Sequence, residues 1–554
     1  MDKKIAQVVN EEFGVEVDVQ LSRPDSQFGD YATNVALQLA GRVGKSPREI
    51  AEILCEKLQD IDDFSKVSIA GPGFINIGLS DDKLLSLVKT EPAQNYTGQT
   101  IVIEYSCPNA FKELHTGHLY QTIFGDILSR LLIMGGASLH RTSFGGDVGL
   151  HVAKCLWGMV NELGGEYPEK LVAVGDDSFV RARWISNCYV KGAGAYEDSD
   201  EAKHAIDQLN KTIYGFHDNN DHESLLAQIY WTTRQWSFDY FAAFYDLIKV
   251  DNQRYYPESA TASVGLKVVR EQLEKGVLKE SEGAVVFEGN EEEHLHTRVF
   301  ITSKGLPTYE TKDIGVIWQE RDDYHFDHRY LITGNDQKEY MRVVFAAAEA
   351  FDETLAGTMT HLTNGTVRFG DGQKMSSRLG NVTRAIDVIE TVREKVATLV
   401  EDPSIVEDVA LGAIKYAFAK YRLGGDISFD VEETVSLQGN SGPYLQYAHA
   451  RARRILEKVH SPIQPLSEIR EEDRMLVRKL GEYNEVVELA VKSLEPHHIC
   501  NYLFELAQEF NRYYEKNQVV GDQHEAHRAA LTSLYADTLR AGLSILGIVA
   551  PEKM

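Results

Sequence analysis

Cysteine is scarce. Cys55, Cys107, Cys155, Cys188 and Cys500 are the only five in 554 residues, and they lie too far apart for a disulfide framework or a paired zinc knuckle. No structural zinc is expected, and a reducing cytoplasm is the expected compartment. Proline is also rare, with 14 residues against 43% hydrophobic ones, a balance that builds packed cores and excludes a disordered chain. No apolar run approaches the ~20 residues a membrane-spanning helix needs. The opening MDKKIAQVVNEEF sets polar residues between Ile5, Val8, Val9 and Phe13, which reads as an amphipathic helix and not as a signal peptide. Positive charge is in deficit: 57 Lys and Arg face 84 Asp and Glu, a net charge of −27. Indiscriminate nucleic-acid binding draws its affinity from a generally basic surface, so neither DNA nor a membrane is an expected partner, and any RNA contact must be local. One late stretch is locally basic, with Arg451, Arg453, Arg454 and Lys458 followed by Arg474, Arg478 and Lys479. A solvated helix face explains such charges equally well.

The chain is long enough for several domains. Residues 1–97 mix helical periodicity with short β-rich pieces at 66–70 and 74–77, the pattern of a small α/β domain. A polar stretch, 91–99, precedes a β-rich run at 100–105. From there to about 397, strand-like and helix-like segments alternate, as in a parallel sheet with crossover helices. A mainly helical, polar region at about 164–253 interrupts the alternation as an insertion. Residues 398–554 are helix-periodic and predict an all-α bundle.

Chemistry-bearing residues begin at the first strand of the sheet domain. The strand ending at Glu104 runs through Cys107 and Asn109 into His115-Thr116-Gly117-His118, after which Leu119, Ile123, Ile127 and Leu131 recur every fourth residue. A helix therefore opens at the histidines, and its N-terminus offers free N–H groups and a positive dipole end to phosphate. Gly117 removes a side chain where a nucleotide must approach the backbone. His115 and His118 can donate to a phosphate whose charge grows during transfer; surface or metal-binding histidines are the blander alternative. Far downstream, Gly372-Gln373-Lys374-Met375-Ser376-Ser377-Arg378 forms a glycine-flanked basic loop, and its lysine can close over a triphosphate.

Together, His-Thr-Gly-His and Lys-Met-Ser-Ser-Arg resemble the two signatures of class I aminoacyl-tRNA synthetases. The stretch 104–112 (EYSCPNAFK), the segment 22–34 (SRPDSQFGDYATN), the run 308–313 (TYETKD), Asp336-Gln337 and the segment 439–451 (GNSGPYLQYAHAR) are similar to the arginyl-tRNA synthetase family in particular. The resemblance implies a Rossmann-type catalytic domain with a helical insertion, a small N-terminal α/β domain that contacts tRNA, and a C-terminal all-α anticodon-binding bundle. It implies ATP, L-arginine and tRNA(Arg) as substrates and partners, Mg²⁺ carried with ATP, and a monomer. Catalytic roles fall on Lys112, His115, His118 and Lys374, with Gly117, Met375 and Ser376 also at ATP. Arginine would be held by Glu104, Cys107, Asn109, His118, Tyr309, Asp313 and Gln337: Asn109 and Gln337 on its backbone groups, Tyr309 and Asp313 on its guanidinium. A carboxylate takes a planar guanidinium in two parallel charge-assisted bonds, which an ammonium cannot match. Alternatives stay open at this level, with Tyr309 as packing, Asp313 as a helix cap and Glu104 as the partner of an internal lysine.

Three residues depart from the family pattern. Cys107 replaces a serine, His151 stands at a position that is usually glutamine, and Ser377 replaces the second lysine of the downstream loop, a loss that Lys112 would offset. In the bundle, Tyr444, Tyr447 and Arg451 fall on one helical face at i, i+3 and i+7, and Tyr514 and Met554 join them as candidates for contact with tRNA. Aromatics beside arginines can stack on unpaired bases; a core-facing aromatic stripe is the alternative. A cysteinyl enzyme would hold its substrate on zinc and lacks its cysteines here. A small-molecule adenylating ligase would need no RNA-binding bundle, and a non-catalytic RNA-binding paralogue would not need His115, His118 and Lys374.

Overall fold

A computed structural model describes the chain except for residues 252, 291, 293, 370–377, 380 and 381. The expected ATP-contacting residues Lys374, Met375 and Ser376 therefore lie outside the described residues.

At the N-terminus, strands β1 (Tyr31–Thr33), β2 (Phe64–Ala70) and β3 (Phe74–Leu79) form an antiparallel sheet in the order β1-β3-β2. The helices Asp2–Phe13, Val35–Val43 and Pro47–Leu58 pack their buried residues Ile5, Val35, Leu39 and Leu54 into one core with it. Ser46 and Glu49 close a reciprocal capping box that starts the third helix.

A five-stranded sheet contains β4 (Thr100–Glu104), β5 (Ser138–Gly145), β6 (Arg254–Pro257), and, after a small antiparallel sheet of β7 (Lys279–Ser281), β8 (Ala284–Phe287) and β9 (Arg298–Ile301), β10 (His328–Gly334) and β11 (Met359–Asn364). Its order is β11-β10-β4-β5-β6, parallel throughout. The continuous apolar run Ile101, Val102, Ile103 is fully buried in β4, as a strand covered on both faces requires. Between β5 and β6 the chain leaves the sheet as the helices Leu150–Leu163, Ser178–Asp198, Asp200–Asp218 and Leu225–Leu247, which share a core of their own.

The helix Thr116–Met134 is buried around most of its circumference, including Thr122, Asp126 and Ser129, because it lies between the sheet and the C-terminal helices Ala385–Val396, Val406–Ala419 and Tyr483–Ser493. Gly125 lets it approach β4: a Cβ there would stand 2.2 Å from the Tyr105 ring. The C-terminal region is helical, as its periodicity predicts, apart from Ile427–Phe429, a short strand that pairs in parallel with Val367–Phe369.

The late basic stretch is neither a solvated face nor an open RNA surface in its second half. Arg474 reaches Asp30 at 2.9 Å and Asp81 at 2.7 Å, Arg478 donates to the Pro24 carbonyl at 2.9 Å, and Lys479 pairs with Glu482 at 2.8 Å. Arg23 bonds Glu485 in return. Arg474, Arg478 and Arg23 join the bundle to the N-terminal domain, while Lys479 pairs within the bundle, and Asp30, 3% exposed, gives the 22–34 segment a structural task. Removing one partner would leave the others desolvated and unpaired.

Candidate active site and RNA-facing surface

The strand order reverses at β4: the chain continues to β5 on one side and later returns through β10 on the other. Ligand crevices in such sheets open at the carboxyl ends of the strands at this switch point. The residues singled out by sequence lie there. Glu104 ends β4, with Cys107, Asn109 and Lys112 on the loop beyond it; Gln337 follows β10 in the turn Asn335–Gln337.

The loop after β4 is held in an uncommon conformation. Ser106, Cys107 and Phe111 have φ of 70°, 46° and 66°, a region that costs non-glycine residues free energy and that persists where surrounding structure enforces it. Here the enforcement is visible. The Ser106 hydroxyl accepts from Thr122 at 2.8 Å and from Tyr245 at 3.0 Å, and Tyr255 donates to the Pro108 carbonyl at 2.8 Å. The Asn109 side-chain oxygen accepts from the Gly146 N–H at 2.8 Å, which fixes an exposed side chain over the crevice.

His115 is the N-cap of the helix Thr116–Met134. Its Nδ1 accepts from the His118 N–H at 3.4 Å, and the His118 Nδ1 accepts from the His115 N–H at 3.2 Å, so two histidines build a reciprocal cap. Because both Nδ1 atoms accept, the ring protons sit on Nε2 and remain available as donors. The rings stack at 3.7 Å. A Cβ on Gly117 would stand 2.9 Å from the His115 ring, so glycine is needed there for the stacking itself. Burial and the Lys112 charge push the His115 pKa down to about 4, and burial, with His115 and Lys112, holds His118 well below its usual value. Both rings are neutral at physiological pH. Lys112 lies over the Tyr189 ring of the insertion at 4.4 Å.

Residues 383–385, downstream of the basic loop, lie beside the histidines. The Thr116 hydroxyl donates to the Thr383 carbonyl at 2.9 Å, the Ala385 N–H donates to the Leu114 carbonyl at 2.9 Å, and His115 bridges to Arg384. The described segment 383–385, which follows the downstream motif in sequence, therefore packs against the N-terminus of the helix Thr116–Met134.

A buried charge cluster lies under the β4–β10 side of the crevice. Arg329, 1% exposed on β10, donates to Glu320 at 2.6 Å and to Glu104. Thr142 also donates to Glu320 at 2.5 Å. The Cys107 thiol, kept protonated by burial, donates to Glu104 at 3.5 Å. Glu104 is thus engaged by protein partners, with an internal arginine where the sequence had left a lysine as the alternative. Burial holds its pKa well above the usual carboxylate range, with Glu320 and Asp313 adding to the effect and Arg329 opposing it.

Tyr309 and Asp313 begin the helix Tyr309–Tyr324, one turn apart. Neither bland alternative fits. Tyr309 is 72% exposed, too open for core packing, and it touches the Lys312 ammonium at 5.0 Å. Asp313 caps no helix: its carboxylate accepts from the Tyr340 hydroxyl. Among the described residues it makes no ion pair, and burial pushes its pKa up to about 7 despite Tyr340 and the nearby Arg329 charge. The neighbouring Lys312 is committed to Glu258 at 2.5 Å. Glu104 and Glu320 thus share one guanidinium, Arg329, and Asp313 lies near that charge without an ion pair among the described residues. The site carries surplus negative charge and is complementary to a cation.

Sequence reasoning missed Arg329, Glu320 and Tyr340. Arg329 had a readable signal, since a charged residue stands within the strand pattern HRYLITG. Glu320 and Tyr340 had none. His151 lies beside Gly146 and Asn109, with its Nε2 buried and unpartnered and its pKa pushed down to about 4 by burial.

Models of three protein families match this chain in sequence order: the arginyl tRNA synthetase N-terminal domain over residues 1–79, the class I (R) tRNA synthetase catalytic domain over 82–430, and the DALR anticodon binding domain over 445–554. The arginine–tRNA ligase of Thermobifida fusca is 32% identical, over 96% of this chain and 94% of its own. The chain belongs to the arginyl-tRNA synthetase family. The arginine–tRNA ligase of Flavobacterium psychrophilum is 27% identical, over 91% of this chain and 88% of its own. The solved arginyl-tRNA synthetases of Thermus thermophilus and Plasmodium falciparum share the fold, with TM-scores of 0.82 and 0.81 at 23% and 20% identity, each covering 100% of this chain and 99% of its own.

Within the stretch that matches the family's anticodon binding domain, Tyr447, Arg451, Arg454, Lys553 and Met554 line a cavity of about 360 Å³. Tyr447 is 43% exposed. The Arg451 guanidinium lies 5.2 Å from the Tyr514 ring and 3.4 Å from the Asn511 side-chain oxygen, and Asn511 donates to the Tyr444 hydroxyl at 3.1 Å. The five expected residues therefore occupy one surface, with Tyr444 and Tyr514 leaning into the bundle and Tyr447 facing out.

Proposed function

We propose that this chain activates L-arginine with ATP to an enzyme-bound arginyl-adenylate and pyrophosphate, then transfers the arginyl group to the 3′ end of tRNA(Arg). The observation that carries the amino-acid choice is Asp313: a desolvated carboxylate that makes no ion pair among the described residues, on the face it shares with the exposed Tyr309 ring. A guanidinium supplies the missing charge and the planar fork. The remaining surplus at Glu104 favours the substrate's ammonium group, while Asn109 and Gln337, on loops after adjacent strands, orient its backbone groups.

At the other end, the neutral His115 and His118 donate from Nε2 to the α-phosphate region of ATP, where charge develops as the arginine carboxylate attacks and pyrophosphate leaves. Lys112 and Lys374 meet the charge that moves onto pyrophosphate. Mg²⁺ arrives on the ATP phosphates, which suits an ion that keeps its waters and needs no protein cage. The reaction takes place in the cytoplasm, on a monomer. The test is arginine-dependent exchange of pyrophosphate into ATP, run with and without tRNA(Arg): exchange with arginine alone among amino acids, and only when the tRNA is present, is the expected result.

Asp313 also sets a pH dependence. Its pKa near 7 in the empty site means that the carboxylate gains charge as pH rises through neutrality, while the guanidinium stays charged throughout. Arginine affinity is expected to rise about tenfold between pH 6 and pH 8, following the ionised fraction of a group with that pKa. Calorimetric titration at the two pH values measures it, and a flat profile contradicts the assignment.

On the bundle, Tyr447→Ala is expected to weaken tRNA binding by about 1–3 kcal/mol, the value of one stacking aromatic, with the fold and the sheet domain intact. Filter binding measures the change; unchanged affinity returns Tyr447 to a purely structural role.

A further inference from the structure

The helix His497–Lys516 begins directly after a tight turn, and that turn brings together three ligand-bearing residues that the reaction above does not use. One donor atom from each of Glu495, His497 and His498 lies within 4.8 Å of the others. Glu495 Oε2 and His498 Nε2 are 3.2 Å apart. With Zn–N and Zn–O bonds of 2.0–2.2 Å, two ligand atoms of a tetrahedral site are separated by about 3.3 Å. The pair thus already stands at the spacing of two ligands on one ion. The His497 and His498 rings follow at 4.2 Å between centroids and 34° between planes.

Two further features separate this cluster from a chance meeting of surface groups. The His497 Nδ1 is shielded from solvent and has no hydrogen-bond partner, although a buried imidazole nitrogen left unpaired costs free energy. The second concerns the carboxylate, whose two oxygens are divided: Oε1 accepts from Arg422 Nε at 2.8 Å, and Oε2 turns toward His498. An outer partner that orients a ligating carboxylate is a usual companion of metal sites.

We propose that Glu495, His497 and His498 bind one divalent transition-metal ion of the zinc, cobalt or nickel type, with water completing the coordination. Imidazole nitrogen with a single carboxylate oxygen suits these ions, whereas Mg²⁺ and Ca²⁺ prefer oxygen donors throughout. On binding, the ion displaces the contact between Glu495 and His498 and takes up the free Nδ1 of His497. Arg422 remains on the other carboxylate oxygen. The site lies on the helical bundle, needs no cysteine, and is independent of the proposed reaction.

The test uses the full-length chain stripped of metal and titrated with Zn²⁺ by calorimetry and with Co²⁺ by visible absorption. Wild type is compared with Glu495→Gln and with the double variant His497→Ala/His498→Ala. Circular dichroism confirms that both variants fold. The wild type should take up one more equivalent of Zn²⁺ than the double variant, and Co²⁺ at that site should give the intense band of a four-coordinate ion. Glu495→Gln should weaken that site by on the order of 100-fold, and millimolar Mg²⁺ should not compete. Equal stoichiometry and affinity in wild type and double variant would place any bound ion elsewhere, for example at His115 and His118, and would overturn the proposal, as would the absence of saturable binding.

Discussion

Replacing Asp313 with asparagine is expected to lower arginine activation by a factor on the order of hundreds to thousands. The exchange keeps the size of the side chain and removes its charge. A guanidinium taken from water into the pocket would then lack its counter-charge, and an uncompensated buried charge costs about 3–5 kcal/mol, with each 1.4 kcal/mol worth tenfold. ATP binding should stay near normal, because the proposed phosphate contacts lie on His115, His118 and the downstream loop, at a different strand end. The Tyr340 hydroxyl, which donates to Asp313, can still donate to the amide oxygen of asparagine, so the pocket wall is expected to hold. Citrulline, neutral and similar in shape, separates charge from fit. Adenylate formation should fall far more for arginine than for citrulline; an equal fall for both would show that Asp313 does not read the guanidinium.

The second large effect is structural and belongs to Arg329. Arg329→Met preserves much of the volume but leaves Glu104 and Glu320, at 3% and 0% exposure, without their cation. Breaking a buried pair from one side costs about 3–5 kcal/mol. The sign of the pH dependence follows from the acids. Without Arg329, whose charge opposes the effect of burial on Glu104, the folded-state pKa of Glu104 rises further above its unfolded value, so the penalty is complete above the folded pKa and is relieved as pH falls and that carboxyl takes up its proton. The thermal transition of the catalytic domain, followed by near-ultraviolet circular dichroism, should therefore drop much more at pH 8 than at pH 6. Equal drops at both pH values would mean that lost packing, and not uncompensated charge, causes the instability. Glu104→Gln offers a milder comparison, since Arg329 keeps Glu320 as a partner.

The elements that position the active site were legible because local chemistry dictates them. An uninterrupted apolar run can only be a strand covered on both faces, and β4 is one. A stripe at every fourth residue after two histidines can only be a helix opening there. Asp313 was singled out by the resemblance to the arginyl-tRNA synthetase family, and its helix places it one turn from Tyr309. What could not be read was long-range. That Arg329 would lie beneath Glu104 depends on β10 pairing beside β4, a contact made across more than 200 intervening residues. The same holds for Arg474 and Arg478, whose charges looked available to RNA until Asp30 was found between them. Charge patterns report which groups need partners; only topology decides which partner arrives.

The central claim is that this site makes arginyl-tRNA, and charging from a mixed pool tests it most directly. Purified protein is given ATP, all twenty amino acids and unfractionated tRNA, and the esterified amino acids and their tRNAs are identified by mass spectrometry. Arginine on tRNA(Arg) alone is the predicted product. Another amino acid on the tRNA, or adenylate formation with no charged tRNA at all, would contradict the account.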